Sequence, residues 1–336
     1  MLVDAGRYDQ VYRDLDDYWK TMSFIPHRLG ASWQQARWAC MHQPLAERFW
    51  GDVDVVYCPA ESFIPTKKAK LVCTIHDIAG FEPDLYPGST SQLLHRGKWR
   101  ILFEQMARYA DAVVTVSEFS ASRISRFFPR LESKLHVIYN APHDIFGTAC
   151  DSEDRKRIEA LSGGKPFVLV PGGLSLRKNA ALILEALPHL ASELPDVKVI
   201  IAGSNSGEYL ARLEKLECNN HVLAGYVSDK LLNALYQHAE VAWFPSRYEG
   251  FGMPVIEAMS AGVPVVASNA TAVPEVAGDA AILCHVDNPR SHAEAIRSVH
   301  ENPVLRSEMI EKGRARAARF TWDASAIGLN RLFCSI

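Results

Sequence analysis

The chain lacks any continuous apolar run near the ~18 residues that a bilayer crossing needs, so no membrane-spanning helix is expected. Its seven cysteines, at 40, 58, 73, 150, 218, 284 and 334, include no Cys-x-x-Cys pair. That argues against a zinc site and for reduced, buried thiols in a cytosolic protein. Net charge is only −3, which gives no electrostatic case for a nucleic-acid partner. There is no internal repeat and no low-complexity tract. The first residues, MLVDAGRYDQVYRDLDDYWK, are acidic and mixed, and lack the basic and apolar regions of a signal peptide. Neither a Gly-x-x-x-x-Gly-Lys-Ser/Thr loop nor a Gly-x-Gly-x-x-Gly turn occurs, which excludes the commonest phosphate-binding signatures.

What is present is a soluble, core-forming composition, with 48% hydrophobic and 22% charged residues over 336 positions. That length suits two domains. Short apolar runs rich in β-branched residues recur at 53–59, 70–77, 112–117 and 135–140, then at 167–173, 197–203, 241–246, 263–268 and 280–285. They lack polar alternation, as expected of parallel strands covered on both faces. Helical patterns at 91–109, 118–128, 179–192, 228–239 and 254–261 separate them. Strand alternating with helix predicts right-handed βαβ units. The polar segment GTACDSEDRKRIEALSGGKP, 147–166, breaks the rhythm and reads as the interdomain connection. The expected division is a first domain over 1–150, a second over 163–317, and a C-terminal helix over 318–336 that returns to the first.

Two stretches of the second domain carry chemistry. In PSRYEGFGMPVIEAMSAGVPVVAS, from Pro245 to Ser268, Glu249 and Glu257 flank a turn with Gly250 and Gly252. Pro254 suits a first helical position, where a missing N–H costs nothing. The turn therefore joins a strand end to a helix N-terminus, where free N–H groups favour an anion. An ionised Glu257 is acceptor-only, which suits a ribose diol. The plain alternative is a solvated carboxylate pair beside an ordinary turn. In FVLVPGGLSLRKNAALILEAL the order is again strand, Gly turn with Gly172 and Gly173, then helix, with Arg177 and Lys178 at the helix start. Two cations there can neutralise a diphosphate, although basic residues near helix starts are common. Both turns follow strands of one sheet and can converge at its carboxyl edge.

These segments, EGFGMPVIE above all, resemble the Glu-x7-Glu signature of retaining glycosyltransferases, especially family 4. The resemblance extends through SRYEGFGMPVIEAMSAGVPVVASNATAVPEVAGDAAILC, GGLSLRKN and LAGYVSDKLLNALYQHAEV, and covers about residues 50–320. It implies an α/β protein of the GT-B fold, with two Rossmann-like domains facing a central cleft. The implied activity is transfer of a hexose, mannose by preference, from a nucleoside diphosphate sugar to a saccharide or lipid-linked acceptor in polysaccharide biosynthesis. By the same resemblance Arg177 and Lys178 bind the diphosphate, and Glu257 the ribose. Glu249, with the backbone of Gly250, Phe251 and Gly252, contacts the donor sugar. Gly173 lies at the donor, and AGYVS, with the backbone of Val227, forms part of the base pocket. In CTIHDIAGFEPDLYP, His76 and Asp77 end a strand, and the resemblance brings His76 to the donor sugar, although a lone His is more often structural. His76, Glu249, Arg177 and Lys178 are the implied catalytic set. Ser117 in TVSEFSASRI reads as a helix cap with Ser120 beside it, and Asn140 in VIYNAP lies near the hinge. No cofactor and no metal are expected, since the cations take the charge of the leaving diphosphate. A cytoplasmic enzyme with a peripheral contact at the inner face of the membrane follows from the resemblance.

One departure stands out. The family opens with a strand, a Gly-rich turn and a first helix, and VDVVYCP is the first recognisable strand here. Either the reading frame is truncated or the segment 7–50, with RLGASWQQARWACMHQ, replaces that sheet edge. A non-catalytic sugar-nucleotide-binding protein, an epimerase or a phosphorylase-like enzyme on the same fold remain alternatives. The phosphorylase would need a Schiff-base lysine and a longer chain. No carboxylate pair of the hydrolase type is evident.

Overall fold

A computed structural model describes residues 2–4, 25–27, 31–85 and 90–336. Strand β1 (Leu2–Asp4) pairs in parallel with β2 (Ile25–His27) as a separate two-stranded sheet. Of the segment 7–50, positions 7–24 and 28–30 lie outside the described residues. Helix α1 (Ala31–Met41) belongs to the segment expected to cover the sheet edge; its Trp38 is buried in the first core and donates from Nε1 to Pro44 O at 3.0 Å.

The first sheet is all parallel, in the order β3 (Val55–Cys58), β4 (Lys70–Thr74), β5 (Ala112–Thr115), β6 (Leu135–Val137). Helices α2 (Thr90–Tyr109) and α3 (Glu118–Phe127) supply Phe103, Met106 and Ile124 to one face, against Leu71, Cys73 and Val113. Ser117 caps α3, its side chain accepting from the Ser120 N–H at 2.9 Å. The segment 147–166 is more than a connection. Asp151 accepts from the N–H groups of Glu153 and Asp154, starting α4 (Ser152–Ser162), and left-handed Gly163 ends it. Ile158 packs α4 into the second domain's core. The Gly-Gly pair and the charge of this segment masked a helix with one buried face.

The second sheet, also parallel, contains β7 (Phe167–Pro171), β8 (Lys198–Ala202), β9 (His221–Gly225), β10 (Val241–Phe244), β11 (Val265–Ser268) and β12 (Ala281–Cys284). Helix α5 (Ala180–Glu193) follows β7, α6 (Asp229–His238) follows β9, and α7 (Met253–Ala261) follows β10. Helices α8 (Val273–Ala277), α9 (Pro289–Glu301) and α10 (Pro303–Ala317) add to the layers. Ile183, Leu187 and Ile296 help to fill one face of the sheet, while Leu235, Val255 and Met259 fill the other. The spatial order is β12-β11-β10-β7-β8-β9. The chain thus starts in the middle at β7, winds outward to β9, then returns to β10 on the other side. That reversal leaves a crevice beyond the carboxyl ends of β7 and β10, where open α/β sheets take ligands.

Helix α11 (Trp322–Ser335) packs on the remaining face of the first sheet. Leu332 is buried against Val72, Ala112 and Val114, and the Phe333 ring lies 5.5 Å from that of Tyr57. Covering that face removes the apolar side chains of adjacent strands from water, the main stabilising term for a parallel sheet. Four of the cysteines are buried, but Cys40 and Cys334 are exposed on the outer helices, which departs from the expectation of buried thiols.

Candidate active site

The β7 and β10 loops meet at the crevice and are tied to each other, the Arg247 N–H donating to Arg177 O at 2.9 Å. Gly172 (φ 96°) and Gly173 (φ 72°) adopt left-handed backbone. A Cβ on Gly173 would lie 2.0 Å from Ser204 O, and one on Gly172 would lie 2.7 Å from Lys178 Cε. Glycine here lets the loop press on the end of β8 and lets the Lys178 stem cross the end of β7.

Lys178 Nζ lies 2.7 Å from Glu249 Oε1. The residue assigned to the diphosphate and the one assigned to the sugar are therefore partners. Arg177 stays 40% exposed, with Nη1 3.9 Å from Asp77 Oδ2 of the first domain. Glu257 is half-buried on the first turns of α7 and has no hydrogen-bond partner among the described residues. Burial, and next the charge of Asp229, push its carboxyl up to about 7, against the pull of Lys178. The N–H groups of Gly250, Phe251, Gly252 and Met253 also have no partner among the described residues. They open α7 as a ready anion site.

The loop after β10 is gripped from the first domain. Gly250 has ordinary φ, and its missing Cβ is explained by a close approach of the protein itself: a Cβ would sit 2.6 Å from Asp77 Cβ and 3.1 Å from His76 O. The Gly250 carbonyl accepts from Ser117 Oγ at 2.5 Å and Ser120 Oγ at 2.8 Å. Those hydroxyls thus do more than cap α3. Phe251 is buried, edge-on to Phe320 and tilted against Tyr139, in a cluster shared by both domains. Glu275 of α8 accepts from the N–H groups of Glu118 and Phe119, placing a carboxylate on the α3 N-terminus.

His76 follows β4 and stands at this junction. Its ring Nδ1 and its backbone N–H both lie 2.9 Å from one oxygen of Glu61. The hydrogen bond to Glu61 raises the imidazole pKa above its usual value against burial. Burial opposes ionisation of Glu61, but the bonds from His76 outweigh it and hold this carboxyl low. Asp77 is pushed up by burial, with Glu61 and Glu249 adding repulsion. Glu61 and Glu275 were not singled out by sequence reasoning; each acts across a long chain separation, and only the three-residue spacing of Glu61 from the end of β3 hinted at the first. Val227 is half-buried at the end of β9, beside Tyr226, which is 86% exposed. Asn140 follows β6, next to Tyr139, whose carbonyl accepts from Ser325 of α11.

Two Asp-x-Asp spacings occur, at Asp14/Asp16 and Asp52/Asp54. The first lies outside the described residues. The second is exposed at the amino end of β3, on the far side of the sheet from the cleft. No group of three metal-ligating side chains occurs among the described residues.

The model for glycosyl transferases group 1 matches residues 151–316, and that for glycosyltransferase family 4 matches 10–142. Over 288 residues the chain is 30% identical to O-antigen chain mannosyltransferase B of Escherichia coli, covering 80% of this chain and 71% of that one. The chain belongs to glycosyltransferase family 4. Phosphatidyl-myo-inositol mannosyltransferase of Mycobacterium tuberculosis is 33% identical to this family 4 glycosyltransferase over 165 residues, 47% of this chain. The chain spans 43% of that relative's length, and 58% of EpsD of Bacillus subtilis, a putative glycosyltransferase. Among solved structures, HepE of Anabaena with UDP-glucose superposes with TM-score 0.67 at 20% identity, over 80% of this chain and 73% of that one. A glycosyltransferase of Rickettsia africae superposes with TM-score 0.70 at 18% identity, over 94% and 85%. The fold is GT-B, two parallel-sheet α/β domains.

Proposed function

We propose that this family 4 glycosyltransferase is a retaining, metal-independent hexosyltransferase. It moves a hexose, mannose by the names of its relatives, from a nucleoside diphosphate sugar to a saccharide or lipid-linked acceptor in polysaccharide biosynthesis. The observation that supports this most is the convergence at one strand crossover of Lys178, Arg177, Glu249, Glu257 and the free N–H groups opening α7. In this reading the diphosphate lies against Arg177, Lys178 and the α7 N-terminus, the ribose diol against Glu257, and the sugar between Glu249 and His76. Val227 contributes a backbone contact to the base.

As the bond from the anomeric carbon to the diphosphate breaks, negative charge grows on the leaving oxygen. Arg177, Lys178 and the helix N–H groups stabilise it. The acceptor hydroxyl attacks on the same face and passes its proton to the departing phosphate oxygen, which gives retention. A cytoplasmic enzyme touching the inner membrane face fits α2, where Leu93, Leu94 and Ile101 are exposed beside Lys98 and Arg100. No helix among the described residues is long and apolar enough to cross a membrane.

The test is a panel of labelled sugar nucleotides with saccharide and lipid-linked acceptors, read for free nucleoside diphosphate and for the anomeric configuration of the product. Release of nucleoside diphosphate with retained configuration is expected. A new sugar nucleotide would mark an epimerase, binding without turnover a non-catalytic protein, and an inverted product a different mechanism.

A further inference from the structure

Glu61, paired with His76 at the cleft, is a charged residue that the donor contacts leave without a role. Glu61 lies in the loop after β3, and His76 follows the adjacent strand β4. A single oxygen, Glu61 Oε1, accepts from both the backbone N–H and the ring Nδ1 of His76, each at 2.9 Å. One bond holds the main chain and the other holds the ring, so the imidazole cannot swivel without losing the second. Because Nδ1 carries the proton given to Glu61, Nε2 is the end left for another molecule. Nε2 has no partner among the described residues, and the side chain is 42% exposed. The far side of the same segment is locked as well, since His76 O and Asp77 Cβ press on Gly250 of the donor loop.

We infer that Glu61 is a positioning residue, holding His76 with Nε2 turned into the cleft to hydrogen-bond a hydroxyl of the transferred sugar. The inference rests on the donor-site reading for the identity of that hydroxyl, and on geometry alone for the hold on the ring. A neutral imidazole held this way accepts from the hydroxyl at Nε2, and an imidazolium donates to it. Either bond needs the ring plane set in advance, which is what a carboxylate at Nδ1 does for histidines elsewhere. The other charged groups around His76 are Asp77 on its own segment and, across the cleft, Arg177 and the Lys178–Glu249 pair. None of these touches the imidazole nitrogens.

The contrasting explanation is that Glu61 only anchors its own loop. Glu61→Gln keeps an acceptor oxygen but removes the charge, and Glu61→Ala removes both. In the full chain labelled with ¹⁵N-histidine, His76 is assigned through His76→Ala. Expected for Glu61→Ala are a shift of the ring away from a single tautomer and titration at lower pH than in the parent; Glu61→Gln should keep the tautomer and lose most of the raised titration. In transfer assays with the donor found in the panel, Glu61→Ala and His76→Ala should each lower kcat about tenfold or more, with nucleoside diphosphate affinity within about twofold of the parent. The double variant should be no slower than the worse single one, and Glu61→Gln should recover part of the loss. Thermal unfolding checks that each variant is folded. An unchanged His76 tautomer and titration in Glu61→Ala overturns the inference, and so do losses that multiply in the double variant. If the parent consumes no donor at all, the donor-site reading fails, and the NMR arm still decides whether Glu61 holds the ring.

Discussion

Lys178 and Glu249 form one ion pair, Nζ to Oε1 2.7 Å, with side chains only 12% and 9% exposed. One comes from the loop after β7 and the other from the loop after β10, so the two motifs are a single unit before any ligand arrives. Read from sequence, they have separate tasks, Lys178 on the diphosphate and Glu249 on the sugar. In the proposed reading a diphosphate reaching Lys178 shares it with Glu249, whose carboxylate would then lie beside the reacting carbon. The pair is thus both a stabilising contact and a site preset for charge.

Lys178→Met and Glu249→Gln, singly and together, test this coupling. Removing one partner of a buried pair leaves the other uncompensated, at a cost of about 3–5 kcal/mol. The residual exposure of this pair favours the lower end. Urea unfolding should show the double variant more stable than the sum of the single losses predicts, by about 1 kcal/mol or more. Nucleoside diphosphate affinity should fall about ten- to a hundredfold in Lys178→Met, the worth of a charge-assisted hydrogen bond. Strictly additive losses in stability would show that the two charges do not depend on each other.

Gly250→Ala should separate binding from transfer. Its Cβ meets Asp77 Cβ at 2.6 Å, so the donor loop and the His76–Asp77 segment must move apart. The three atoms nearest to that Cβ all belong to the first domain. Nucleoside diphosphate should therefore bind within a fewfold of the parent, while transfer falls by about an order of magnitude or more. Small-angle scattering should show a more open molecule. A variant with parental kcat would mean that the closed contact seen here plays no part in turnover.

The strand series, the alternation with helices and both Gly turns were legible because each rests on local pattern: β-branched runs, a Gly pair at φ > 0, and a Pro at the start of α7. The convergence of the two turns followed from topology once the runs were read as one parallel sheet. Strand β9 was missed because, as an edge strand only half-covered, His221–Gly225 has an apolar run of just three residues, Val222 to Ala224, with one β-branched side chain. Helix α4 was missed because its composition is that of a linker and only Ile158 and its neighbours face the core. The grip on Gly250 could not be read at all. Ser117 and Ser120 lie 133 and 130 residues from their partner, and a glycine in a motif gives no sign of whether ligand or protein fills the space where its side chain would be.

Transfer should continue in EDTA. In the proposed mechanism Arg177, Lys178 and the α7 N–H groups supply the positive charge that a divalent ion supplies elsewhere. Initial rates measured after chelation and dialysis should stay within about twofold of the untreated protein. Loss of activity that Mn²⁺ or Mg²⁺ restores would place a metal in the mechanism and remove the case for the two cations as its substitute.

Glu257 gives the fold a pH dependence with two opposite arms. Its carboxyl is raised to about 7 by burial and by Asp229. Between about pH 4.5 and 7 the folded chain therefore keeps a proton that the unfolded chain has released. Stability falls across that window as pH rises, by about 2–3 kcal/mol if this group acted alone. Nucleotide binding should move the other way, because in the proposed site the ionised Glu257 is the stronger acceptor for the ribose diol. From about pH 6 to about pH 8 the ionised fraction of such a group grows about tenfold. The terminal phosphate of the ligand also titrates in this range, so the comparison is between a nucleoside diphosphate and its 2′,3′-dideoxy form, which carries the same phosphates and no diol. Calorimetric titration should show the ribose ligand gaining about tenfold over the dideoxy ligand across the range. Glu257→Gln should flatten that difference and also remove the loss of stability, since an amide has no charge to desolvate. If the parent shows the same pH dependence for both ligands, Glu257 does not hold the ribose. If stability is flat through pH 7 in parent and variant alike, its carboxyl is solvated and titrates as an ordinary surface group.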